Sequence, residues 1–403
     1  MVMIRRWIRS LIPVRRDVPV LIDRPQLASN RGAHRVSIRV DGEALWFESS
    51  DVELAPNVEA FATALLVPSL SLGRLLEVRG PVCPVWLENQ RQAARLTASW
   101  WNFPQLGSPH VTQTHTLIAS APADSPTPAP RSLAVSTESR AATRSVKDTA
   151  LCFTGGVDSF YTLLRAQPQA DRLVFALGYD VDLRDHALRR SAERTVRAVA
   201  AEMGKTSVVI ASNLRRHPTF RVDSWERTHG GALGAIGHLL SDHISLLQIS
   251  ASYLYGSSAF WGSRWDLDPL FASSQFAIEH FGAEYRRTQK LWMIAHEPIV
   301  RRHLRVCWVR HRGEGNCGRC EKCVRTMLSL ESCGQLEHYP TLGSPDELIA
   351  RIDGVPAIPW GAILAYDLLM RQDLRSDVRR AVERLLERTK AASAATAQKT
   401  AAA

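Results

Sequence analysis

Between residues 149 and 281, short apolar runs alternate with stretches of helical period, and that alternation leaves few folds open to the chain. TALCFT (149–154), RLVFALGY (172–179), TSVVIAS (206–212) and ISLLQISAS (244–252) read as strands, with FAIEHF (276–281) as a fifth. Segments 159–167, 184–203 and 231–242 read as helices. In the second of these, Leu188, Ala192, Val196, Val199 and Met203 share one face. Strands joined by crossover helices pair in parallel and are covered on both faces. The expected fold class is therefore α/β with a doubly wound parallel sheet. In such a sheet a ligand sits at the carboxyl ends of the strands, beside the point where the strand order reverses.

The rest of the chain is read around this block. HRVSIRVDGEALWFES (34–49) alternates like paired strands around Asp41-Gly42, and segments 57–77 and 85–101 look helical. Residues 119–148 are rich in Ala, Ser, Pro and Thr and offer little to a core. The expected division is an N-terminal α+β domain (1–118), a linker (119–148), the α/β domain (149–340), a helical extension (341–390) and a disordered Ala-rich tail (391–403). A total of 403 residues, 45% apolar and 22% charged, suits a globular protein of two or three domains and excludes a fibre or a disulfide scaffold. No run of 18 apolar residues is present, so no membrane span is expected. The N-terminal MVMIRRWIRSLIPVRRD lacks the apolar core and cleavage site of a secretory signal, which points to the cytoplasm. The net charge is +10, and only six of the 50 basic residues are lysine. An arginine excess fits either phosphate-binding surfaces or GC-rich codon usage. With no block of like charges, nucleic acid is not the favoured partner.

Two motifs carry chemistry. The first strand runs straight into Phe153-Thr154-Gly155-Gly156-Val157-Asp158-Ser159, followed by a helix. A helix start offers free backbone N–H groups and the positive end of a dipole, and the glycines let the backbone close on a phosphate. Thr154 and Ser159 add hydroxyls, and Asp158 can cap the helix or hold a magnesium ion. The string is neither a Walker loop nor a dinucleotide fingerprint. The second motif is Cys307, Cys317, Cys320 and Cys323, in the spacing C-x9-C-x2-C-x2-C. Four soft ligands so close in sequence suit a closed tetrahedral zinc site. An iron–sulfur cluster is the alternative, although the ferredoxin run wants a fourth Cys three residues on, and the next here is Cys333. Cys83 and Cys152 read as buried fillers.

Phe153 to Ser159 resembles the SGGxDS signature of the PP-loop ATP pyrophosphatases, with Thr154 in place of the family serine. That resemblance implies ATP with Mg2+, cleavage between the α and β phosphates, and transfer of AMP to a carbonyl, carboxylate or amide oxygen. Thr154, Gly155, Gly156, Asp158 and Ser159 would then grip the leaving pyrophosphate. The loop paired with the string NCGRCEKCVRT resembles the 7-cyano-7-deazaguanine synthase family, over the segment 149–333. This implies a carbon–nitrogen ligase with Asp158, Ser159 and Arg227 as catalytic residues and a structural Zn2+. The long segment in front of 149 and the C-terminal extension depart from that family. They mark an extended relative of the kind found in bacterial biosynthetic or defence clusters. The deazaguanine substrate therefore does not carry over. The expected partners are a small-molecule or peptide-like acceptor, proteins of the same gene cluster, and a second copy in a homodimer. Two alternatives stay open: a PP-loop enzyme that modifies an RNA base, and an ATP-sensing partner subunit of a biosynthetic or defence complex.

Further candidates lie at the ligand edge. ERTHGGALGAIGH (226–238) resembles the small-residue helix lining the family's nucleotide cleft, with Arg227 and His229 at its start. Its glycines equally suit close helix–sheet packing. Asp180, after the second strand, is placed to meet a ribose or a metal. Ser263, Arg264, Asp266 and Asp268, in an aromatic-rich loop, lie where an acceptor would enter. Arg286 or Arg287 is a candidate carboxylate clamp.

Overall fold

A computed structural model describes residues 18–30, 32–103, 110–111, 147–307 and 315–401. The five strands expected between 149 and 281 form: β7 (Asp148–Cys152), β8 (Arg172–Leu177), β9 (Thr206–Ser212), β10 (Ile244–Ser250) and β11 (Ala277–Phe281). All five run parallel, in the order β11-β10-β7-β8-β9. The order reverses between β7 and β10, which puts the carboxyl end of β7 beside the crevice of the sheet. The crossovers are α3 (Val157–Arg165), α4 (His186–Glu202) and α5 (Trp225–Leu239). Alternate side chains feed two cores, one on each face. Leu173 and Phe175 point toward α3 and α4, and Val174 points toward α5.

The N-terminal segment is not a separate domain, contrary to expectation. It supplies β1 (Val20–Ile22), β2 (Gln26–Asn30), β3 (Ala33–Val40), β4 (Glu43–Ser49), α1 (Val58–Leu72), β5 (Leu76–Val78), α2 (Pro84–Trp101) and β6 (His110–Val111). Strands β1, β5 and β6 make a small parallel sheet. Strands β4, β3 and β2 instead extend the main sheet to eight, with β4 antiparallel to β9. Side chains hold that seam together. Ser212 Oγ donates to Trp46 O (2.7 Å), Ser49 Oγ to Val209 O (2.8 Å), and Asn213 Oδ1 accepts from Trp46 N (2.9 Å). Helix α1 is apolar nearly all round and buried, because it packs against α5, α2 and Phe47 of β4. Glu59, buried on α1, has a carboxylate oxygen 3.3 Å from His238 Nδ1 of α5. Trp86 of α2 donates to Thr63 of α1 (2.8 Å) and lies in the same core as Ala150 of β7 and Ile249 of β10. The N-terminal segment thus shares one core with the α/β block, and a domain boundary between them would expose it.

The C-terminal side holds α6 (Arg287–Ile294), α7 (Pro298–His303), α8 (Glu321–Glu331), α9 (Leu348–Asp353), α10 (Ile363–Met370) and α11 (Ser376–Ala401). These helices share the core on the α3/α4 face. The tail expected to be disordered from 391 continues α11 to Ala401, as the strong helix preference of alanine favours. Most of the expected linker, and the segment 1–17, lie outside the described residues. No described helix is long and apolar enough to cross a membrane.

Helix α5 approaches α1 so closely that a Cβ at Gly231 would stand 2.6 Å from Thr63 O. Gly231→Ala should therefore cost about 1–3 kcal/mol by overpacking, read as a lower midpoint in denaturant unfolding.

Candidate functional site

The loop after β7 lies at the reversal of strand order. Phe153 N–H still pairs with Val174 O (2.8 Å), and the chain then turns at Gly155, whose φ is +74°. A side chain there would be strained. Gly156 is the N-cap of α3, and no side chain caps that helix. Its first amides are therefore free to meet an anion. Ser159 Oγ donates to Gly156 O (3.1 Å) and stands 3.4 Å from Thr154 Oγ1, so both hydroxyls brace the turn. Thr162 Oγ1 reaches Ser250 Oγ (2.8 Å), tying α3 to β10 across the crevice.

Asp158 does not cap α3. Its carboxylate pairs with Arg287 Nη1 and lies 3.5 Å from Lys290 Nζ. Lys290 is 1% exposed and also donates to Ala251 O (2.6 Å). Burial pushes its ammonium pKa down, and Asp158 opposes that shift. A third cation, Arg305, is buried behind the loop. Its backbone N–H donates to Gly155 O (2.8 Å) and its guanidinium to Ser191 Oγ (2.9 Å). Two cations, Arg287 and Lys290, thus stand at one carboxylate beside a helix N-terminus, an arrangement suited to a multiply charged anion, while the Arg305 guanidinium turns to Ser191 of α4. Sequence reasoning offers Arg287 only as an option and does not reach Lys290 or Arg305. The spacing of Arg287 and Lys290 on one helix face, i and i+3, is the available signal.

The four cysteines come together. All four sulfurs lie within 4.8 Å of one another, with Cys317 to Cys323 at 3.8 Å and Cys307 to Cys320 at 3.7 Å. Thiolates at about 2.3 Å from a tetrahedral ion would stand about 3.8 Å apart, so the residues fit a metal such as zinc. Cys320 is pulled down to about 5, first by a hydrogen bond from the Cys323 thiol, while Cys323 is pushed up by the same contact. Asn316 closes the knuckle, donating to Leu304 O (2.9 Å) and accepting from Val306 N (2.8 Å). Cys333 stands apart, its thiol donating to the Ser329 and Leu330 carbonyls. Burial raises Cys152 to about 12, consistent with a filler.

The other candidates make no contact with the glycine loop among the bonds the structure shows. Asp180 lies beyond the end of β8, 3.8 Å from Arg215. Arg227 stands 3.7 Å from Asp223, with its guanidinium 5.4 Å over Trp101 and 5.8 Å over Phe103. His229 bonds Trp225 O (2.9 Å), and desolvation lowers its pKa. Asp268 is fully buried, accepting from Ser263 Oγ (2.7 Å) and meeting His280 Nδ1 (2.7 Å). Arg264 bonds Asp266 (2.8 Å) and lies 4.9 Å over Trp100, which stacks on Phe260 at 5.4 Å. Loop 251–266 and the end of α2 therefore form an aromatic and arginine wall beside the crevice.

Compared with protein-family models, curated proteins and solved structures, the chain matches none.

The Cys307 segment is bonded to the glycine loop through Arg305 N–H. Purified protein should hold about one metal ion per chain by elemental analysis. Cys320→Ser should remove it and speed amide exchange at Arg305 at least tenfold.

Proposed function

We propose that the chain is an ATP pyrophosphatase of the PP-loop type that joins an acceptor to a nitrogen nucleophile. The observation that carries this reading is the uncapped N-terminus of α3 at the sheet's reversal, with Gly155 at φ +74°, its carbonyl held by the Arg305 N–H, and Arg287 and Lys290 beside it. ATP, with Mg2+ as part of the substrate, would lay its β and γ phosphates in this loop. A carboxylate or amide oxygen of the acceptor attacks the α-phosphorus. The α–β anhydride bond breaks, and pyrophosphate takes the electron pair. The nitrogen of ammonia or an amine then attacks the activated carbon and loses a proton, and AMP leaves with the carbon–oxygen pair.

In this account Asp158 orients Arg287 and Lys290, so that their charge meets the negative charge growing on pyrophosphate. The loop amides of α3 bind the same group from the other side. The aromatic wall with Arg264 and Arg227 would receive a planar or peptide-like acceptor. Zinc in the cysteine cluster would be structural and would hold the 304–307 segment against Gly155. Four thiolates persist in a reducing compartment, which supports a cytoplasmic setting.

The test is a pyrophosphate-release screen over carboxylates, deazapurines, tRNA and peptides. With the responsive acceptor, Arg287→Ala should lower kcat at least 100-fold with little change in unfolding midpoint, since Lys290 still faces Asp158. Asp158→Ala should abolish turnover and also cost about 3–5 kcal/mol, because it strands a buried ammonium. Iron in place of zinc would remove the structural-zinc part of the account.

A further inference from the structure

A cavity of about 680 Å³ opens at the same carboxyl edge of the sheet, between the β3–β4 turn and the loop after β9. Its walls carry Trp46, Arg184, Arg215, Arg216, His217 and Arg221, against a single acidic residue, Glu43. Two of these arginines are committed: Arg184 to Asp182 (3.1 Å) and Arg215 to Asp180 (3.8 Å). Arg215 also lies 4.7 Å over Trp225, which fixes its plane. Arg216 and Arg221 are exposed, and neither guanidinium has an ion pair or hydrogen bond among the described residues. His217 is 2% exposed and held between Glu43 O and Thr219 N, so it is wall and not ligand.

We propose that this cavity is a second anion site, binding a phosphorylated small molecule of nucleotide size. The volume falls in the range of small-molecule pockets, about 300–1,000 Å³. Guanidinium forks match phosphate oxygens, and two of the four here make no direct ion pair or hydrogen bond among the described residues, although the charge of Arg216 also acts on Asp182. Trp46, with Arg35 at 4.4 Å over its ring, adds an aromatic wall for a flat group. The arginines converge on one cavity instead of following a track, which favours a compact ligand over a nucleic-acid strand. The site is separate from the glycine loop: β9 is two strands from β7, about 10 Å across the sheet. It is also built in part by the β3–β4 hairpin, so the N-terminal segment helps to create it. The inference does not rest on the reading of the loop.

Calorimetric titration of the full chain with inorganic tripolyphosphate tests it. Wild type should bind at two sites. Arg216→Ser with Arg221→Ser should weaken one of them at least tenfold, leave the other, and leave the melting temperature unchanged. Arg287→Ala should weaken only the other. Binding unaffected by the arginine pair overturns the proposal. A single site lost with that pair and untouched by Arg287→Ala supports it and counts against the loop as an anion site. In a second arm, a 5′-mononucleotide should compete for the cavity. A short single-stranded RNA that binds over tenfold tighter than the mononucleotide, and depends on the same two arginines, would overturn the small-ligand assignment.

Discussion

The hydrogen bond from Arg305 N–H to Gly155 O joins two motifs that lie far apart in the chain. Gly155 holds a left-handed conformation that leaves the amides of α3 open, and its carbonyl is pinned from behind. The pinning segment is itself short and irregular, with Cys307 close behind it and Asn316 bonded to Leu304 and Val306. On the proposed reading, a loop that receives a highly charged group without rearranging needs such a fixed backing. The cysteine cluster would supply it behind residues 304–307, which lie in no helix or strand.

Asp158 provides the second constraint. A buried lysine is costly unless it is paired, and Lys290 is paired by this carboxylate. The same group orients Arg287, which is partly exposed. One carboxylate thus supports both a buried and an accessible cation, and the local balance beside the helix N-terminus stays positive.

What can be read from the sequence is what is local. The strand–glycine–helix string and the clustered cysteines specify their own geometry, and β7, α3 and the four-cysteine cluster follow from them. The strand periods of β8 to β11 are readable for the same reason. The domain division is not, because hairpin and helix patterns at 34–101 do not say which surface they will cover. The decisive contacts there, Glu59 with His238 and Trp46 with Asn213, are non-local and involve residues that look ordinary in sequence. Ala-rich composition suggests disorder at 391–403, where residues 391–401 instead continue a helix. Lys290 and Arg305 escape notice because their roles arise only when α6 and the 304–307 segment fold against the loop. The N-terminal segment, expected as a domain apart, completes the sheet at β9 and walls two faces of its carboxyl edge.

The central claim is that the glycine loop receives the pyrophosphate end of ATP as a leaving group. The most direct measurement follows ATP labelled at the α and γ phosphates through turnover by the purified protein, supplied with the small-molecule fraction of a cell extract. The account predicts that the α label appears in AMP and the γ label in pyrophosphate, in equal amounts. Appearance of the α label in ADP, with the γ label in inorganic phosphate, would contradict it.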